Sequence, residues 1–228
     1  METTKGNALV LRTCKSNMTS RNGFIWPKSG PVECPDWIPS TKCGNGLHGA
    51  LWGQGEGELF NWSHDAVWQV VQIEEWIDLN GKVKFPRGVV VHTGNRETAT
   101  KYIIENGASG PVIGDMATAG DYGTATAGDY GAATAGYKGA ATAGDYGTAT
   151  AGYEGAATAG DYGTATAGDY GTATAGNCGI IQIMYFDGKR YRIKVGYTNE
   201  DGIEPNIPYR LDRDGNFIKA VDKSAESV

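Results

Sequence analysis

The sequence predicts a mainly β protein. A small α+β N-terminal domain leads into a two-sided β-solenoid of sixteen-residue coils, closed by a C-terminal β-hairpin cap. The first observation behind this is a repeat without insertions: eight octads of the form x-Ala-Thr-Ala-Gly-x-x-Gly fill residues 116–179. A strict short period means stacked, near-identical units. The second is how the octads differ. Their variable turn pairs are Asp-Tyr except at Tyr137-Lys138, Tyr153-Glu154 and the final Asn177-Cys178. The first two exceptions lie sixteen residues apart. Coils of two octads set Tyr on Tyr and Lys on Glu in neighbouring rungs, about 4.8 Å apart. A one-octad coil is too tight, and a three-octad coil separates the pair.

Within an octad, Ala125-Thr126-Ala127 is enough for a short strand, and Gly128-Asp129-Tyr130-Gly131 supplies a turn. The glycines are expected where the backbone takes positive φ. Side chains alternate along a strand, so both alanines share one face while Thr and the variable x share the other. All sixteen alanines are kept, whereas x is Met, Thr or Ala, so the alanines are expected inside.

The N-terminal domain is assigned to residues 1–107. Ala8 to Arg12 reads as a strand, as do Ala66 to Glu74, Lys82 to Phe85 and Val89 to His92. Between the first two the chain is irregular from Asn17 to Gly57, interrupted by Pro27, Pro31, Pro35 and Pro39. So long a loop needs internal packing, and Trp26, Trp37 and Trp52 are its expected anchors. Asn95 can cap a helix from Arg96 to Asn106 that Gly107 stops, just before the solenoid.

The solenoid is assigned to 108–179, the β cap to 180–212 and a flexible tail to 213–228. Ile181 and Ile183 occupy the alanine register, so the interior widens there. A hairpin is expected at Asp187-Gly188 with one extra loop residue. That register pairs Tyr185 with Tyr191, Ile183 with Ile193 and Ile181 with Val195, and keeps like faces together. In the tail, Phe217 and Ile218 are the residues able to pin the first half.

A net charge of −6 argues against a general nucleic-acid surface. No stretch approaches a membrane span, and Met1 to Arg12 holds no apolar signal core. Four scattered cysteines fit a reducing compartment, so the expected location is cytoplasmic.

The Thr-Ala-Gly-x-x-Gly phrasing, with Thr-x-Thr in four octads and Ala-Gly-Tyr in two, resembles the repeats of bacterial ice-nucleation proteins. That resemblance implies a sixteen-residue β-solenoid. More of the chain resembles a group of uncharacterised bacterial and prophage proteins that pair a Cys-Gly-Asn-Gly-Leu-His segment, Cys43 to His48 here, with Ala-Thr-rich repeats. The second resemblance implies a phage association and no particular activity.

Cys34, Cys43, His48 and His64 do not have zinc-ribbon or finger spacing, so no metal or other cofactor is expected. Small buried thiols and packed histidines are the commoner arrangement. Cys43 with His48 as nucleophile and base lacks a third, orienting group. Arg12-Thr13-Cys14 after a strand, with Gly46-Leu47-His48 later, faintly resembles ADP-ribosyltransferase-like folds. The resemblance makes Arg12 and His48 the catalytic candidates, with Glu97 and Glu105 as the available acids. The commoner role for His48 is to close the loop with Trp52. Arg190, Arg192 and Lys194 read as gatekeeping charges on a sheet edge. Asp129, Asp145 and Asp161 should stack on one solenoid edge, where water can solvate them.

Two binding readings remain above catalysis. In the first, Tyr130, Tyr146 and Tyr162 form a ladder on one edge, a contact strip for a protein partner or a second copy of the chain. The opposite edge lacks that uniformity. In the second, Thr-x-Thr rows bind ice through Thr148, Thr150, Thr164, Thr166, Thr172 and Thr174. Neither face carries an unbroken double row, so partner binding ranks first.

Overall fold

The computed structural model describes residues 3–20 and 23–220, which divide into two units, 1–115 and 116–228. The protein is mainly β with a solenoid of about four turns.

The N-terminal unit contains β1 (Thr4–Cys14), β2 (Gly30–Glu33), β3 (Leu47–Leu51), β4 (Val67–Asp78), β5 (Val83–Phe85), β6 (Arg87–Gly94) and α1 (Arg96–Glu105). They form one antiparallel sheet in the order β1-β3-β5-β4-β6-β2. A further β1–β4 pairing closes four of these strands into a small barrel-like ring. Two strands lie inside the stretch expected to be irregular. β2 contains Pro31 and pairs only with β6, an edge position where proline is tolerated. β3 is Leu-His-Gly-Ala-Leu, without a β-branched residue to mark it. Trp26 is buried, and Trp37 and Trp52 pack partly buried against the core, so the loop is anchored as expected. Asn95 caps α1 by accepting from the Thr98 amide at 2.9 Å. The helix buries Ala99, Thr100 and Ile103 and packs on β1, β4 and β6.

The solenoid strands come in alternating pairs: β7 (Met116–Ala119) and β8 (Thr124–Thr126), then β9 (Ala132–Ala135) and β10 (Ala140–Ala143). β11 (Thr148–Ala151), β12 (Ala156–Ala159), β13 (Thr164–Ala167) and β14 (Thr172–Ala175) complete four coils. Odd-numbered strands form one parallel sheet and even-numbered strands the other, each residue pairing with the one sixteen positions on. From Ala125 to Ala175 the two alanines flanking each octad threonine are buried, at 3 % exposure or less, while Thr126 and Thr134 are exposed. The two-sided coil and its inward alanines are as the sequence predicts.

The turns differ from expectation. Positive φ falls on the residue before the second glycine (Tyr122, Tyr130, Lys138, Tyr146, Glu154, Tyr162, Tyr170 and Cys178), with φ between 51° and 59°. No octad glycine has positive φ. Holding an L residue there costs roughly 1–2 kcal/mol. The left-handed residue's amide donates to a carbonyl of the next coil, as from Tyr130 to Asp145 at 2.8 Å and from Glu154 to Asp169 at 2.9 Å. The glycines serve close approach instead. A Cβ on Gly152 would sit 2.8 Å from the Gly136 carbonyl carbon and oxygen, and one on Gly144 would sit 2.4 Å from Asp129 Oδ1.

At the C-terminal end, β15 (Ile180–Phe186) pairs with β13 and carries buried Ile181 and Ile183 into the alanine register. β16 (Tyr191–Tyr197) returns antiparallel, and β17 (Tyr209–Leu211) with β18 (Phe217–Lys219) extends the other sheet. Thr198 ties this cap to the last turn, accepting from the Gly179 amide at 2.8 Å and donating to the Gly176 carbonyl at 2.7 Å. The hairpin register corrects the expected one. Ile183 pairs with Lys194 and Tyr185 with Arg192, because the turn closes between Asp187 and Arg190. Asp187 Oδ1 accepts from the amides of both Lys189 and Arg190, which centres the tip on Gly188-Lys189, one residue later than Asp187-Gly188. Met184, Phe186, Tyr191, Ile193, Val195 and Tyr197 are consequently exposed on the outer face. Phe217 and Ile218 do pin the start of the tail, and residues 221–228 of that expected tail lie outside the described residues.

The packing makes a direct prediction. Ala149 is fully buried between the sheets, so Ala149→Leu should destabilise by at least about 1–3 kcal/mol, the usual cost of overpacking. Thr150→Val keeps the β-branched shape and removes only an outward hydroxyl, so its thermal midpoint should stay near the parent's. Thermal denaturation of the two variants followed by circular dichroism measures the difference, and equal losses would mean that the faces are reversed.

Candidate functional site

Three surfaces of the solenoid and one cavity of the N-terminal unit gather the candidate residues. Thr148, Thr150, Thr164 and Thr166 lie on one face, where Thr148 pairs with Thr164 and Thr150 with Thr166. The result is a two-by-two threonine lattice, about 4.8 Å between rungs and about 6.6 Å along each strand. A single threonine row through Thr118, Thr134, Thr150 and Thr166 runs unbroken down this face. Thr172 and Thr174 belong to the opposite face, where Ala156 and Ala140 interrupt the variable row.

Tyr130, Tyr146 and Tyr162 occupy one edge and stack nearly parallel, with ring centroids 4.8 and 4.9 Å apart. Beneath them the aspartates are bonded between coils rather than merely solvated. Asp129 accepts from the Asp145 amide at 3.0 Å, Asp145 from Asp161 at 2.8 Å, and Asp161 from Asn177 at 2.7 Å. Each carboxylate thus closes a backbone amide of the next rung. The opposite edge also carries tyrosines in contact, without the uniformity of the first. Tyr137 stacks on Tyr153 at 5.8 Å, and Tyr122 and Tyr170 meet them edge-on at 5.4 and 5.6 Å. Its two middle rings, Tyr137 and Tyr153, come from the second turn position and its outer rings, Tyr122 and Tyr170, from the third, and this one-residue shift hides the row from a search at fixed spacing. Lys138 and Glu154 pair at 3.1 Å, as their sixteen-residue separation predicts.

In the N-terminal unit, Arg12 and His48 line one cavity of about 1170 Å³, together with Trp26, Cys14, Cys43 and Lys82. Arg12 lies over the Trp26 ring, its guanidinium carbon 3.4 Å from the ring centre. It donates to Gln69 Oε1 at 2.6 Å and to the Thr13 carbonyl at 2.8 Å. Gln69 is itself fixed, donating to the Pro27 carbonyl and Thr93 Oγ1. Burial lowers Arg12 to about 10, so it remains charged at neutral pH, and burial pushes the Cys14 thiol up. Trp26 and Gln69 are site residues the sequence does not mark, because only the fold brings them to Arg12. Glu97 and Glu105, on α1, do not line this cavity. Among the described residues, no three His, Cys, Asp or Glu side chains converge as metal ligands.

The Cys43 to His48 segment acquires a structural account. The buried Lys84 ammonium donates to the Lys42 carbonyl at 2.9 Å, Ser40 Oγ at 3.3 Å and the Gly44 carbonyl at 3.4 Å. A Cβ at Gly46 would come within 2.4 Å of the Lys84 stem, and Gly44 has φ +95°. The loop therefore clasps a lysine, and β3 carries His48 from it to the cavity wall. Burial first, then Lys82 and Lys84, lowers His48 to about 4.

This shift has a sign. Between pH about 6.5 and about 4 the unfolded imidazole binds a proton that folded His48 refuses, so acid destabilises the native state through this group. His48→Gln should therefore lose less stability than the parent between pH 7 and 4. Denaturant unfolding at a series of pH values checks this, and parallel curves would contradict it.

Residues 8–104 match the family described as Domain of unknown function (DUF7666). The chain is also similar to ice nucleation proteins. It is 47% identical over 102 residues to one from Pseudomonas fluorescens, covering 43% of this chain and 8% of the relative. Against one from Xanthomonas campestris pv. translucens it is again 47% identical over 102 residues, covering 43% and 6%. Against ice nucleation protein InaU from Pantoea ananas it is 39% identical over 104 residues, covering 44% and 10%. The chain thus spans a tenth or less of the length of these relatives. No solved structure matches it. Relatives named for ice nucleation conflict with the expected cytoplasmic location, which is withdrawn. Its physical basis is four unpaired thiols, two buried and two exposed, which permit a reducing compartment without requiring one.

Proposed function

We propose that the solenoid is an ice-binding element and that the face bearing Thr148, Thr150, Thr164 and Thr166 is its contact surface. The observation that carries this reading is the in-register pairing of Thr148 with Thr164 and Thr150 with Thr166 on a rigid sheet. A lattice of hydroxyls and methyls at fixed spacing can order water without rearranging, so little entropy is lost on contact. Similarity to ice nucleation proteins supports the reading. Rungs about 4.8 Å apart give a four-coil face roughly 20 Å long, small for a nucleating template. Adsorption to existing ice is the activity that fits this size.

A second reading is self-association through the edges or cap. Stacked tyrosines on both edges and the exposed strip of Met184, Phe186, Ile193 and Val195 favour it. Tyrosines held in stacks offer rigid contact area at small entropic cost.

One set of variants tests both readings. The parent should inhibit ice recrystallisation or shape ice crystals. Thr150→Lys/Thr166→Lys should abolish that activity, and Thr142→Lys/Thr158→Lys on the opposite face should leave most of it. An inactive parent, or full activity in the first double variant, rejects the ice reading. Tyr130→Ser/Tyr146→Ser/Tyr162→Ser should lower the mass measured by light scattering if that edge joins copies. A parent monomeric at all accessible concentrations rejects self-association.

A further inference from the structure

The N-terminal cavity presents a chemical imbalance that the solenoid reading leaves unused. Arg12 is 5 % exposed, and no ion pair among the described residues involves it. Its closest side-chain partners, Gln69 and Trp26, are neutral. The same holds for Lys84, fully buried and bonded only to carbonyls and a hydroxyl, and Lys82 lines the cavity with no carboxylate paired to it. Burying a cation without a counter-charge is costly, and folded proteins generally pair it. Three buried side-chain nitrogens also have no hydrogen-bond partner among the described residues: Arg12 Nε, Trp26 Nε1 and His48 Nε2. All three belong to residues that line this one cavity. A guanidinium has five donors, and the bonds to Gln69 and Thr13 use two.

We propose that this cavity binds a small molecule through an oxyanion group, a carboxylate or a phosphate, with Arg12 as the principal anchor and His48 and Lys82 as further contacts. Gln69 holds the guanidinium from one side, and Trp26 supports its flat face, so the group is fixed in place on the cavity wall. An oxyanion supplies what the wall lacks: a counter-charge for Arg12 and acceptors for unmet donors. His48, neutral at physiological pH, can donate or accept at Nε2 according to its tautomer. Three carboxylates also line the cavity, Asp36, Glu56 and Asp65; Asp36 is engaged by Cys34 and Asn45, and none of the three forms an ion pair with Arg12 or Lys82. The concave shape and a volume of about 1170 Å³ suit a small ligand rather than a macromolecular strand.

The test uses the full chain at constant ionic strength, titrated separately with inorganic phosphate and with succinate. Tryptophan fluorescence reports occupancy beside Trp26, and the thermal midpoint reports stabilisation. At least one anion should give a saturable fluorescence change with a raised midpoint. Arg12→Met should weaken that binding by roughly tenfold or more, the loss of charge-assisted hydrogen bonds. Without added anion, Arg12→Met should unfold close to the parent, because it removes an unpaired buried charge but also the donor to Gln69 Oε1. A response to phosphate alone assigns a phosphoryl ligand, and one to succinate alone assigns a carboxylate. No saturable response to either anion, or unchanged affinity in Arg12→Met, overturns the proposal. Should Arg12→Met fail to fold, Lys82→Met and His48→Gln decide: weakened binding in either supports it, and unchanged affinity in both overturns it.

Discussion

The structure of the repeat depends on close approach between successive coils. A Cβ placed on Gly152 or Gly168 would lie 2.8 or 2.6 Å from backbone carbonyl atoms of the preceding coil. The alanines impose the same limit across the interior, where no side chain is larger until Ile181. Once rungs are this close, the other features follow. The residue before the second turn glycine aims its amide at the next coil, from Tyr122 through Tyr162, which puts tyrosine, lysine and glutamate in the left-handed region. The strain is offset by that inter-coil hydrogen bond, by aspartate side chains closing further amides, and by tyrosine stacking at about 0.5–1.5 kcal/mol per pair. None of these terms reaches the outward faces.

The N-terminal unit solves a different problem. Its cores are ordinary, built from Val10, Val71, Phe85 and Ile73 on one side and Leu11, Val70, Ile103 and Trp68 on the other. What sets it apart is two buried cations managed without carboxylates. Lys84 is satisfied by the loop that clasps it, so it reads as structural. Arg12 is satisfied only in part, and that difference separates a staple from a site.

Much of the solenoid is legible in the sequence because its period is set by sterics alone. Tyr137 with Tyr153 and Lys138 with Glu154 fix the coil length, and both pairs are in contact. Glycine function is not legible in the same way. Positive φ and close approach both select glycine, and the structure shows that close approach acts at Gly144 and Gly152. The hairpin register is not legible for a related reason: face matching favours one register, while the Asp187 side chain, accepting from the Lys189 and Arg190 amides, sets another. β2 and β3 were hidden because strand propensity is weak in Gly-Pro-Val-Glu and Leu-His-Gly-Ala-Leu. At the cavity, Arg12 and His48 could be singled out, but Gln69 reaches Arg12 only through the long-range pairing of β1 with β4.

The threonines pose a sharper question than the alanines or glycines. Folding accounts for the invariant alanines through burial and for the invariant glycines through clearance. The variable position shares the outward face with threonine and accepts Met, Thr and Ala, so that face does not police size. Yet the threonine itself is the same in all eight octads. Strand propensity favours a β-branched residue there, but valine and isoleucine satisfy that preference equally and never occur at it. What threonine adds to their shape is a hydroxyl, and a row of hydroxyls on an outward face has solvent, or its solid form, as the natural partner. Keeping this group where packing does not require it is the strongest reason to look for function on the faces.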